Sequence, residues 1–127
     1  MSLLLDTATL IWATADPSRL SPAAAAALDG ADDLFVSAAS AWEVATKHRL
    51  GRLPTVGRLI ERWDTELERF DLGQLDIAHR HTIRAGAIDV PHHDPFDRII
   101  AAQAEIEDMT LVANDRAFDL FPVRRLW

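Results

Sequence analysis

The sequence predicts an α/β fold with a mainly parallel central β-sheet flanked by α-helices, and three observations carry that prediction. Short unbroken apolar runs end abruptly at polar residues: Leu3-Leu4-Leu5 at Asp6, Leu34-Phe35-Val36 at Ser37, and Thr110-Leu111-Val112-Ala113 at Asn114-Asp115. Runs of this kind suit strands buried on both faces. Stretches with helical spacing and helix-end signals lie between them, and strands that alternate with helices join by crossovers into parallel sheets. Finally, 127 residues of which 49% are hydrophobic supply one real core, so residues 1–127 read as a single domain.

The elements follow in order. The first apolar run is a strand, and Thr7 opens a helix after it. Ser21-Pro22, five alanines and Gly30 give the N-cap, first-turn proline and terminal glycine of a short helix. After the second strand, Trp42, Ala45 and Arg49 recur at helical spacing until Gly51 and Pro54 break the pattern. Val56, Leu59, Ile60, Trp63, Leu67 and Phe70 trace an apolar stripe that predicts one amphipathic helix. A weaker strand is expected at 74–77. Asp94-Pro95 opens the last long helix, which carries Phe96, Ile99, Ile100 and Ala104, and 123–127 closes the chain as another strand.

Composition removes several classes of function. Without cysteine there is no disulfide framework, thiolate nucleophile or cysteine-ligated zinc. The apolar start lacks a basic opening and is interrupted by Asp6, and no apolar stretch approaches the roughly 18 residues of a membrane span. The expectation is a cytoplasmic protein with no membrane partner. Neither a Walker motif nor a dinucleotide fingerprint is present. A formal charge of -7 argues against a broadly basic surface for nucleic acid.

Four acids stand out by position. In open α/β sheets the functional crevice lies outside the carboxyl ends of the strands. Asp6 and Asp115 come directly after strands, Glu43 lies about two turns into the helix after Ser37, and Asp97 sits in the first turn of the last helix. Each has a local explanation in helix capping. Asp6 suits a cap, Glu43 follows Ser40 at capping-box spacing, Asp97 stands three after Asp94, and Asp115 suits a cap for a short helix through Phe118. Together they would repel one another unless a cation held them. Oxygen ligands at an open rim suit Mg2+ or Mn2+, the ions that activate water and neutralise charge in phosphodiester hydrolysis.

Three segments then resemble a known family. Leu5-Asp6-Thr7 with Leu10-Ile11-Trp12, the stretch Val36 to Ala45 with Lys47 and Gly51-Arg52-Leu53, and His93 to Arg98 with Ala101 to Ala104 resemble the PIN-domain family. More narrowly, they look like VapC-type toxins of type II toxin–antitoxin pairs, and the ending from Leu111 to Trp127 is similar too. The resemblance implies a Mg2+-dependent endoribonuclease, with Mn2+ able to substitute, that cuts structured RNA such as tRNA or rRNA and so inhibits translation and growth. It implies a cognate VapB-type antitoxin, a homodimer and a toxin–antitoxin hetero-oligomer. By motif, the family's catalytic and metal-binding acids fall on Asp6, Glu43, Asp97 and Asp115.

One departure stands against this: Ala113 occupies a place where relatives often carry Ser or Thr, which removes a hydroxyl and motivates the alternative of a PIN-fold RNA- or protein-binding module with weak or no turnover. A phosphatase of the haloacid-dehalogenase type needs a second aspartate two residues after the first, and that residue is Ala8.

The remaining polar residues take lesser roles. His79, His81, His92 and His93 have poor spacing for zinc, although His92 and His93 precede the Asp94 loop and are placed for RNA contact. Lys47, one turn after Glu43, and Arg98 and Arg116, each beside a proposed ligand, are expected to bind phosphate. Arg58 and Arg62 read as solvated surface, and Trp12, Trp42 and Trp63 as core or interface.

Overall fold

The computed structural model describes residues 1–127. Strands β1 (Ser2–Leu5), β2 (Asp33–Ser37), β3 (Leu72–Leu75), β4 (Thr110–Val112) and β5 (Arg125–Leu126) form one sheet in the order β3-β2-β1-β4-β5. Every neighbouring pair is parallel, as the alternation of strands and helices predicts. Helices α1 (Thr7–Ala15), α2 (Pro22–Gly30), α3 (Ala38–Arg49), α4 (Gly57–Glu61), α5 (Trp63–Arg69), α6 (His79–Ala87) and α7 (Pro95–Ile106) fill the connections. No helix is long and apolar enough to cross a membrane.

Strand side chains alternate between two apolar layers. Leu4 and Leu111, paired in register, pack with Phe35, Ala85, Ile88, Ile100, Ala101 and Phe118 on one face. Leu5 and Val36, also in register, meet Leu10, Leu59, Leu67 and Leu72 on the other. Both faces are covered, so the strands read as unbroken apolar runs. Phe35 sits opposite Gly73 on β3, and a Cβ at that glycine would lie 2.9 Å from the Phe35 ring. Gly51, with φ of 75°, takes the left-handed turn that ends α3.

Three expectations need correction. The helix expected from Val56 to Phe70 is kinked at Arg62, whose φ of -119° and ψ of 35° divide α4 from α5. Its hydrogen bonds continue on both sides, from Arg62 to Arg58 and from Glu66 to Arg62, so the bend reorients the stripe without ending it. Leu59, Trp63, Leu67 and Phe70 thereby reach one cluster. β3 begins two residues earlier than expected, after the left-handed Asp71, because Leu72 fills the core while Gln74 turns outward to Asp64 and Trp63. The last strand is confined to Arg125–Leu126. Of the two readings for Trp42, core or interface, its 56% exposure, with the ring edge-on to Phe96 at 4.7 Å, leaves the interface.

Helix α6 has no counterpart among the expected elements, because it lacks a Ser, Thr, Asn or Asp cap. The ring of His81 takes that part: Nδ1 accepts from the Ala78 N–H at 2.9 Å. Nε2 therefore carries the proton and donates to Glu107 Oε1 at 2.9 Å. His81 is buried and fully engaged, which disposes of a zinc role for it.

Candidate active site

The chain runs outward from β1 to β2 and β3, then returns to place β4 on the other side of β1. That reversal puts the switch point, and the crevice it creates, at the carboxyl ends of β1 and β4. The two ends are tied together: the Asp6 N–H and the Thr9 hydroxyl both donate to the Val112 carbonyl, at 3.2 and 2.9 Å. A cleft of about 860 Å3 opens there, and Asp6, Glu43, Asp97 and Asp115 all line it. Asp16 and Asp94 raise its carboxylates to six, against two cations, Arg19 and Lys47.

Asp6 caps α1 and faces the cleft at once, since Oδ1 accepts from the Thr9 N–H at 2.9 Å. Burial pushes its carboxyl up to about 6, the nearby Asp97 and Glu43 charges push the same way, and the bonds from Thr9 oppose. Glu43 is no capping residue. Helix α3 starts at Ala38 with Ser37 as its cap, and Ser40 lies inside the helix bonded to Thr7. Glu43, 5% exposed, receives Lys47 Nζ on Oε2 at 2.5 Å, while its buried Oε1 has no hydrogen-bond partner.

Asp97 rides on α7, which Asp94 caps through the N–H groups of Phe96 and Asp97. Its own Oδ2 accepts from His92 Nε2 at 2.9 Å. Burial pushes this carboxyl up to about 6 and the Asp94 and Glu43 charges add to the rise, against the His92 bond. Asp115 is exposed on the lip and caps the turn Arg116–Leu120 through the Ala117 N–H.

The basic residues divide. Lys47 lines the cleft but is bound to Glu43, and Arg116 is exposed outside the lining. Arg98 does not face the cleft, contrary to the expectation of a phosphate contact. Its guanidinium donates to the carbonyl of Ala85 in the last turn of α6 and to those of Ile88, Val90 and His92 in the loop that follows. His93 is exposed outside the lining too. Ala113 is fully buried in the core and absent from the cleft wall, whereas Asn114 lines it.

Arg19, which lies over the Trp12 ring at 4.7 Å, and His92 were not singled out as site residues from the sequence in these roles. Trp12 and Arg19 are seven apart, a helical interval hidden by the break at Pro17, and His92 acts from an aperiodic loop.

The donor set fits a hard divalent cation. Buried carboxylate oxygens are rarely left unpaired, and Glu43 Oε1 is one, set among further carboxylates and no sulfur or free imidazole. No three acidic or histidine side chains close around one point, so the arrangement is an open rim rather than a closed cage.

The PIN domain family model matches residues 3–123. Ribonuclease VapC22 of Mycobacterium tuberculosis is 31% identical over 118 residues, 91% of this chain and 88% of that protein. Among solved structures, DNA-bound VapBC from Salmonella typhimurium superposes with a TM-score of 0.69 at 22% identity, covering 98% of this chain and 96% of that one. VapBC2 from Rickettsia felis, bound to a promoter DNA fragment, gives 0.64 at 17% identity, covering 98% and 97%. At those identities the structures show a shared fold, while the match over residues 3–123 and the VapC22 identity show that the chain belongs to the PIN-domain family, on its VapC branch.

Proposed function

We propose that this protein is the toxin of a type II toxin–antitoxin pair, a metal-dependent endoribonuclease that hydrolyses phosphodiester bonds in structured RNA, tRNA or rRNA, and so inhibits translation and growth. The observation that carries the reading is the unpartnered, buried Oε1 of Glu43, a residue that lines one cleft with Asp6, Asp97 and Asp115. The likeness to a ribonuclease supports the activity, and the structural likeness to VapBC complexes supports a VapB-type antitoxin as partner. Exposed Trp42 and Ile83 leave apolar surface for a homodimer within that hetero-oligomer. The hint for an inactive module weakens, since Ala113 lies outside the cleft wall.

In this reading Asp6, Glu43, Asp97 and Asp115 hold Mg2+, or Mn2+ in its place, directly or through water. The bound cation supplies a water of lowered pKa and neutralises charge on the phosphorus oxygens. Lys47 fixes Glu43 by its Oε2 and leaves Oε1 without a protein partner. Arg19 and Lys47 place positive charge on the walls, and Arg116 waits outside on the lip for longer RNA. Water oxygen joins phosphorus as the bond to the 3′ oxygen breaks and that oxygen takes a proton, leaving a 5′-phosphate and a 3′-hydroxyl. The charge of -7 becomes intelligible, because the four ligands account for more than half of it. RNA binding is then confined to one metal-loaded cleft.

Incubating purified protein with total RNA tests the proposal. Cutting is expected with Mg2+ or Mn2+ and lost in excess EDTA, in Asp6→Ala and in Asp97→Ala. Equal cutting in EDTA or by those variants overturns it.

A further inference from the structure

We infer that His92 is a positioning residue that presents Asp97 to the cleft, and that Arg98 fixes the loop on which His92 stands; the inference rests on the metal-site reading above. Asp97 has two rotatable side-chain bonds and a half-open setting, so nothing in its own helix decides which oxygen faces the cleft. His92 decides it. Its Nε2–H holds Oδ2 at 2.9 Å, and Asp97 Oδ1 carries no hydrogen bond from the protein.

The His92 ring is itself held on two sides. Its edge meets Phe121, with centroids 5.7 Å apart and planes at 84°, and Phe121 is 4% exposed and so well anchored. The His92 N–H donates to the Val90 carbonyl at 2.9 Å, and the His92 carbonyl accepts from Arg98 Nη1 at 2.7 Å. Arg98 Nε reaches the Ala85 carbonyl at 2.8 Å, and its Nη2 bonds the Ile88 carbonyl. One planar guanidinium thus gathers four carbonyls, of Ala85, Ile88, Val90 and His92, across the segment from the end of α6 to His92, a task for which its fork of fixed donors is suited.

Arg98 is the next residue after Asp97, so a closed circuit results. Helix α7 carries the carboxylate and the arginine, the arginine sets the loop, the loop sets the imidazole, and the imidazole sets the carboxylate. Outer-shell donors of this kind typically change metal affinity by about 10- to 100-fold when removed.

The test is a calorimetric titration of the full chain with MnCl2, comparing wild type, His92→Phe and His92→Gln. Phenylalanine keeps the ring against Phe121 and removes the donor; glutamine keeps an N–H donor. Thermal midpoints by circular dichroism identify any loss caused by unfolding. The expected result is Mn2+ binding about 10- to 100-fold weaker in His92→Phe and within a few-fold of wild type in His92→Gln. Equal binding by wild type and folded His92→Phe overturns the inference, as does a folded His92→Gln that binds as weakly as His92→Phe. Failure of wild type itself to bind Mn2+ overturns the metal-site reading, and this inference with it.

Discussion

The hydroxyl of Thr9 donates to the carbonyl of Val112 at 2.9 Å, joining the first turn of α1 to the end of β4 across 103 residues of chain. Thr9 also gives its N–H to Asp6. One residue therefore fixes Asp6 and holds the strand that leads to Asp115. Thr9→Val is expected to cost about 1 kcal/mol, the worth of one buried hydrogen bond, and to lower RNA cleavage, whereas Thr9→Ser retains most of both. Urea denaturation and a cleavage assay on the three proteins check this.

The pH dependence of the metal-free protein has a definite sign. Asp6 and Asp97 are pushed up to about 6 from an ordinary 3.8, so the folded state holds their protons more tightly than the unfolded chain does. The stability they contribute is present below about 3.8 and is lost as pH rises through about 6, by an upper bound of about 3 kcal/mol for each. Asp32, Glu107 and Asp119, held below their ordinary values mainly by bonds from the Met1 ammonium, Arg80 and Arg125, shift in the opposite direction. Thermal midpoints between pH 5 and 7.5 should fall without metal, and Mn2+ should restore them at pH 7.5 but not at pH 5. Asp6→Asn should flatten the fall. A metal-free midpoint that climbs across the same range contradicts this.

Arg98→Lys should behave as a folding defect. An ammonium cannot reach carbonyls spread from Ala85 to His92, so a loss of about 2–4 kcal/mol is expected, since bonds to charged donors are each worth about 1.5–3 kcal/mol. An RNA-contact role predicts the opposite pattern: an unchanged urea midpoint, with weaker RNA binding and a shallower salt dependence.

Gly73→Ala should strain the sheet. The added Cβ would stand 2.9 Å from the Phe35 ring, and overpacking of that kind costs about 1–3 kcal/mol. Adding Phe35→Leu should recover part of the loss, as a double-mutant cycle by urea denaturation will show.

Much of the architecture is legible in the residues because burial on two faces leaves an unbroken apolar signature, and β1, β2 and β4 have it. The four acids are legible because strand ends and first helical turns are countable positions, and the parallel topology directs them to one rim. What escaped detection depends on distant partners. Helix α6 is capped by His81, whose ring is oriented by Glu107, 26 residues away. Arg98 beside a proposed ligand looks like a phosphate contact until its guanidinium is seen bonded to backbone carbonyls between Ala85 and His92. Ala113 looks like a missing hydroxyl until it is seen packed in the core. Even the kink at Arg62 lies within a regular stripe, because the requirement that both halves meet one cluster is tertiary.

The central claim, that four carboxylates from separate segments share a divalent cation, is tested most directly by an anomalous difference map from Mn2+-soaked crystals. The account predicts a peak in the cleft in contact with Asp6 and Asp97 and beside Glu43 Oε1, and its loss in Asp97→Asn crystals. A saturating soak that leaves the cleft without a peak, or places the ion elsewhere, would contradict it.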